Sequence, residues 1–287
     1  MIITLKNKHI TANIDTLGAQ LISVVSSSGY EFIWQGKIWP KHAPVLFPIC
    51  GMLKDGKYLY RGKEYSIKKH GFANTSEFKI LEQTDTSVVM SIETDEQTRE
   101  MYPFDFRLTA KFEIAENKLD LTLKVDNTGN RILPYMIGWH PAFTLGGTQE
   151  IDTFYVSFPE KKSLLWHQLQ NGPFVNPICS PHPLSDSRYY LNEKEIYEND
   201  TMIFKDTPKH VTLAGGGLEH SVTLTTTSNL KYLCIWKAPD SAARFICIEP
   251  WSDVPADGES AENFDLREMS RLSVGDSEEF GYSVVFE

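Results

Sequence analysis

The sequence predicts an all-β fold, a large antiparallel β-sandwich forming a single domain over 1–287. Three observations carry that prediction. Apolar residues recur at every second position, the period of a strand with one face buried. Turn residues interrupt these runs about every 8–12 positions, the spacing of a many-stranded sandwich. No segment sustains the 3.6 period of an amphipathic helix.

The elements follow in order. Apolar and polar residues alternate from Met1 to Asp15, which reads as strand from the start. The runs Thr11–Leu17 and Gln20–Val25 flank Gly18 and Ala19, a turn or bend between strands. Lys57–Ile67 folds around an Arg61-Gly62 turn, and Ser87–Glu93 is a further strand. Asp95–Met101 has room for about two helical turns. The clearest hairpin pairs Phe106–Ile114 with Leu119–Val125 across the polar turn Glu116-Asn117-Lys118. Residues 160–200, rich in Pro, Ser, Asn and aromatics, read as a long irregular excursion and the place for rim loops. Val211–Thr226 turns at Ala214–Gly217, and Arg244–Ile248 and Tyr282–Phe286 are short apolar strands. Ala261–Met269 reads as a second short helix.

At 287 residues the chain buries a core without staples. Its formal charge of -10 repels phosphate backbones, so nucleic acid is not an expected partner, although a local basic pocket for a small anion is allowed. No apolar run is long enough to span a membrane, and no charged segment leads into an apolar block as in a signal peptide. The expected compartment is cytoplasmic. Cys50, Cys179, Cys234 and Cys247 form no CxxC pair and read as reduced, mostly buried thiols. Phosphate-loop, dinucleotide and serine-hydrolase motifs are missing. Cys179 and His182 have no companion pair, so a turn near Pro183 explains them more cheaply than zinc.

Three segments place an ionisable residue beside rigid or aromatic neighbours. They are Lys69-His70-Gly71-Phe72-Ala73, Gly138-Trp139-His140-Pro141-Ala142-Phe143 and Ile248-Glu249-Pro250-Trp251. A histidine before glycine is ordinarily a turn residue, and one before proline a cap or a core residue. Glu249 is more telling, because it ends the apolar run Phe245–Ile248, and buried glutamates are rare unless paired or functional. A tryptophan beside a carboxylate offers a sugar both a stacking face and an oxygen partner.

Together these segments resemble the aldose 1-epimerase (galactose mutarotase-like) family, in its LacX-type branch. The resemblance includes, in chain order, Gly18-Ala19-Gln20-Leu21, Pro44–Pro48 followed by Gly51, His70-Gly71-Phe72, Tyr102–Phe106, Gly138–Pro141 and Glu249-Pro250-Trp251. It implies a sugar cleft across one sheet of the sandwich. It also implies interconversion of the α and β anomers of an aldose without metal or organic cofactor. Glu249 then matches the base that takes the proton from the anomeric hydroxyl. His140 matches the acid that protonates the ring oxygen, and His70 the residue that binds and polarises the same region. Substrate-binding roles fall to Asp200, Trp139, Trp251 and Asn74.

The sequence departs from the family where an arginine often follows the Pro-x-x-Gly segment, here Met52, and where Arg-Asp often follows His-Gly-Phe-Ala, here Asn74 and Thr75. These losses predict a preference for neutral hexoses over their 6-phosphates. Two alternatives stay open. One is a carbohydrate-binding or regulatory protein without turnover; the other is a hexose-6-phosphate mutarotase, for which Lys41, Lys54, Lys69, Lys205 and Lys237 are the candidate anion ligands. The expected partner is a small aldose, with neither nucleic acid nor membrane.

Overall fold

The computed structural model describes residues 1–170, 173–254, 258 and 262–287. The alternation seen in the sequence becomes two large antiparallel sheets. The nine-stranded sheet runs Arg188–Tyr190, Phe154–Ser157, His210–Gly215, Val222–Thr226, Ser277–Phe286, Lys118–Asn127, Phe106–Ala115, Ser87–Glu93 and Lys79–Gln83 from edge to edge. The eight-stranded sheet runs Phe174–Pro183, Ser163–Gln170, Thr201–Lys205, Tyr232–Trp236, Phe245–Trp251, Gly138–Trp139 and Val45–Leu46, with Ala142–Thr144 also paired to Phe245–Trp251.

In the predicted hairpin, Leu119, Leu121, Leu123 and Val125 lie opposite Ile114, Phe112, Ala110 and Leu108, all buried, while the residues between them reach towards water. Burying a Leu or Phe side chain contributes roughly 1.5–3 kcal/mol, so this face alone commits the register. The two sheets meet through aromatic side chains. Trp139 stands edge-on to Tyr282 at 5.7 Å, and Phe204 to Tyr189 at 5.6 Å.

All seven residues of Phe245–Trp251 are buried, because this central strand is covered on both faces. Ile246 and Ile248 join the main core between the sheets. Phe245 and Cys247 join a smaller cluster with Ala142, Ala238 and Ala243, roofed by Trp34, Trp39 and Trp236. Glu249 and Trp251, two and four residues beyond Cys247, therefore share that outer face.

Strand accounts for 51% of the structure and helix for 8%. One predicted helix forms: α1, Glu96–Met101, is opened by a reciprocal cap in which Asp95 accepts from the Thr98 N–H and the Thr98 hydroxyl accepts from the Asp95 N–H. The second does not. Ala261 lies outside the described residues, and Glu262–Asn263 instead pairs in parallel with Lys57–Tyr60. The Asn263 side chain then accepts from the Asp265 N–H, a turn that competes with helix.

The predicted irregular excursion over 160–200 is also corrected. It contains a long hairpin of Ser163–Gln170 and Phe174–Pro183, followed by α2, Glu193–Asn199. Pro177, Pro181 and Pro183 are tolerated because their strand is the outermost of its sheet, where a missing N–H leaves no ladder bond unmade. Cys179 and His182 accordingly lie on a strand and not in a turn. The Cys179 thiol meets His167 Nε2 at 3.0 Å, and His182 Nε2 meets Glu195 at 2.9 Å. All four cysteines are free, three of them buried. No described helix is long and apolar enough to cross a membrane.

Candidate active site

Gly138 pairs with Trp251 and Ala142 with Cys247, so His140 falls directly opposite Glu249 on the neighbouring strand. Pro141 lacks the N–H that would continue the ladder and separates the two short strands around His140. The His140 N–H donates instead to the Pro44 carbonyl at 3.1 Å. Its Nε2 stands 3.3 Å from Glu249 Oε1. Gly138 makes this close approach possible, since a Cβ there would lie 2.5 Å from the Trp251 ring.

His70 arrives from a separate loop in the left-handed region, at φ +65°. Two bonds to Gly51 hold that uncommon conformation: the His70 N–H donates to its carbonyl at 2.7 Å, and its N–H donates to His70 Nδ1 at 3.1 Å. Because Nδ1 accepts, the ring proton sits on Nε2, which is therefore a donor. Gly71 follows at φ +74°, where a Cβ would collide with the Phe47 carbonyl oxygen at 2.1 Å. The His70 ring stands edge-on to His140 at 5.4 Å and to Trp251 at 5.9 Å.

These groups line a cavity of about 240 Å³, walled by Trp39, Trp236 and Trp251. Ligand pockets commonly measure ~300–1,000 Å³, so this one suits a single sugar ring. Trp39 stacks on His140 at 4.9 Å, and Trp236 meets the same ring edge-on at 5.6 Å.

The electrostatics follow from burial. Desolvation pushes Glu249 well above the ordinary carboxylate range, opposed by the Lys69 charge and by the nearby indole of Trp251. Desolvation pulls His140 down to about 3, with Lys69 acting in the same direction. It pulls His70 well down too, helped by His140. Glu249 Oε2 and His140 Nδ1 are buried without a hydrogen-bond partner. Among the described residues, one donor atom from each of His140, Cys247 and Glu249 lies within 4.8 Å of the others, a set that could hold a metal ion.

Of the residues expected from sequence, Glu249, His140, His70, Trp251, Asn74 and Asp200 line the cavity together. Trp139 does not. It is fully buried, and its indole N–H donates to the Ala43 carbonyl at 2.9 Å. Neighbours on a strand point to opposite faces, so His140 in the cleft forces Trp139 into the core.

With that geometry, a model of the aldose 1-epimerase family matches residues 1–261. The chain belongs to this family. Protein LacX, plasmid, of Lactococcus lactis subsp. lactis is 29% identical over 273 residues, 88% of each chain. A galactose mutarotase related enzyme from Lactobacillus acidophilus superposes with a TM-score of 0.93 at 27% identity, covering 100% of this chain and 97% of that one. A galactose mutarotase-like protein from Lactobacillus casei ATCC 334 gives 0.94 at 26% identity, with both chains fully covered.

This aldose 1-epimerase family member also lines its cleft with residues that sequence reasoning left aside, Trp39, Trp236 and Thr201 among them. Trp39 and Lys41 come from a loop bound at both ends. The Trp34 indole donates to the Trp39 carbonyl at 3.1 Å, and the Gln20 side chain accepts from the His42 N–H at 2.8 Å. The sequence signal was the Trp39-Pro40-Lys41 run just ahead of Pro44. Of the five candidate lysines, only Lys41 and Lys69 reach the cleft. Lys237 is buried against Glu193, Tyr197 and the Asp240 carbonyl.

Proposed function

We propose that the protein is a mutarotase that interconverts the α and β anomers of a hexose by acid–base ring opening and closure. The observation that supports this most is the 3.3 Å contact between Glu249 and His140 at the floor of a cavity sized for one sugar ring. Opening the ring removes a proton from O1 and delivers one to O5. Glu249 takes the first, and His140 gives the second. Rotation about C1–C2 exposes the other face of the aldehyde, and the same two groups reverse their roles to close the ring. The cyclic sugar therefore needs carboxylate and imidazolium, while the open-chain form meets carboxylic acid and neutral imidazole. Burial favours the neutral pair, the state that accompanies the open-chain intermediate. His70 contributes a neutral Nε2–H to a sugar oxygen. Each proton transfer is worth ~10²–10⁴ in rate.

The test is polarimetric mutarotation of a panel of free and 6-phosphorylated aldoses in EDTA. Proton transfers alone suffice for the reaction, so the rate should survive. A wild type that binds sugar yet never exceeds the buffer rate would establish the binding-protein alternative.

A second reading concerns the substrate's charge. Met52 and Asn74 do line the cleft, so the lost arginines fall where they matter, but Lys41 and Lys69 are there too. Neither has an ion-pair partner among the described residues, and half-burial lowers the Lys41 ammonium. Two unpaired cations beside one cleft favour an anionic sugar such as a 6-phosphate. A kcat/KM higher for the free hexose, and unchanged in Lys41→Gln and Lys69→Gln, would reject it.

A further inference from the structure

We infer that His140, Cys247 and Glu249 form a site for a thiophilic divalent cation, Zn²⁺ or its surrogate Co²⁺, whose occupancy shuts off the proton-transfer pair. That inhibition rests on the mutarotase reading; the site itself does not. Its donors are an imidazole nitrogen, a thiol and a carboxylate oxygen, all buried and mutually within 4.8 Å. Two further observations point to a ligand. Glu249 keeps Oε2 buried without a hydrogen-bond partner, which costs free energy that coordination would recover. The strand also presents Cys247 and Glu249 on one face, with His140 opposite Glu249, so the three donors converge from two hydrogen-bonded strands and need no loop to close.

The donor set selects the metal. Sulfur and imidazole suit Zn²⁺ and Co²⁺, whereas Mg²⁺ and Ca²⁺ take oxygen cages. Three protein ligands with the fourth position facing a cleft is an open zinc geometry, the vacancy filled by water. Binding displaces to solvent both the thiol proton and the proton that burial holds on Glu249, since the ligands are the thiolate and the carboxylate. Lys69 and Lys41 oppose a cation here, while Glu249, Asp200 and the new thiolate favour it. A bound ion occupies the lone pairs that Glu249 and His140 need for proton transfer, so it competes with the sugar.

Cys179 beside His167 is a rival thiol–imidazole pair on the outer hairpin, with no carboxylate in the set. The experiment therefore compares Cys247→Ala, Cys247→Ser and Cys179→Ser with the full-length wild type, adding Co²⁺ alone and following the near-ultraviolet thiolate-to-cobalt band. Wild type and Cys179→Ser should bind one Co²⁺ with that band, and both Cys247 variants should lose it. In parallel, Zn²⁺ should inhibit mutarotation competitively and reversibly by EDTA. Cys247→Ala, a small change in a cluster that already holds Ala142, Ala238 and Ala243, should keep basal turnover and need at least about tenfold more Zn²⁺ for half-inhibition. A wild type without the band, or a band lost in Cys179→Ser and kept in Cys247→Ala, overturns the site. Because the band needs no turnover, a protein that binds Co²⁺ but does not mutarotate refutes the proposed function and leaves the site standing.

Discussion

Glu249 carries a carboxylate into a strand whose every residue is buried, and that placement sets three expectations at the scale of single residues. Glu249→Gln keeps the shape but cannot accept a proton, so kcat should fall by roughly 10²–10⁴ while sugar affinity moves less than about tenfold. His140→Asn should match it, and the double variant should be little worse, because the two act in one transition state. His70→Asn should damage binding along with rate. Stability should move the other way. The folded-state pKa of Glu249 lies above its unfolded value, so the folded state keeps a proton that the unfolded chain releases. Its contribution is full below the ordinary carboxylate pKa and is lost as pH rises towards the raised one. Glu249→Gln should therefore melt higher than wild type at neutral pH, and the gap should close near pH 4; a gap independent of pH would contradict a buried carboxyl. For activity, the pair gains a second proton only as pH approaches about 3, where His140 titrates, and loses its single proton only above the usual Glu range. In EDTA-containing buffer kcat should stay flat from weakly acid to neutral pH and fall on the alkaline side.

Two elements position these residues. The His70 loop depends on Gly71, whose missing Cβ lets the backbone pass against the Phe47 carbonyl oxygen. Gly71→Ala adds strain from a positive φ to a backbone clash, so a loss of roughly 3 kcal/mol or more is expected, read from the urea midpoint. The second element is α2, seven residues long and too short to stand alone. It is tied to the eight-stranded sheet by the buried Lys237 ammonium, 3.0 Å from Glu193 and 2.8 Å from the Tyr197 hydroxyl. Asp200, at φ +57°, ends this helix and enters the cleft. Lys237→Met leaves Glu193 unpaired and frees the helix, so KM should rise several-fold with kcat less affected. Equal losses in both would place Lys237 in general stability only. Strand alternation explains an error at this scale: a sequence reading that put Trp139 and His140 in one cleft asked adjacent strand residues to face the same way.

For the whole molecule, circular dichroism should show a β-dominated spectrum. Helix above about one third, the globular base rate, would contradict the sandwich. The all-β class, the main hairpins and the short helix within Asp95–Met101 were legible in the sequence, because each is governed by a residue's own period and its immediate neighbours. The shared face of Cys247, Glu249 and Trp251 was legible for the same reason, being a period of two along one strand. The hairpin over 163–183 was not, since its prolines signal a break everywhere except on an outermost strand, and a strand's rank in its sheet is a tertiary fact. The two lysines of the cleft were indistinguishable from three others, because nothing local separates a solvated ammonium from one aimed at a cavity. Outside 160–200 and the segment from Ala261 to Met269, the sequence by itself determined which residues form the main strands and which side of each strand they share. Only the tertiary structure decided which strands lie side by side, and so that His140 stands 3.3 Å from Glu249 and that Trp39 roofs them. The physical reason is that strand pairing is a bond between distant segments, fixed by the burial of both faces together and written in neither segment alone.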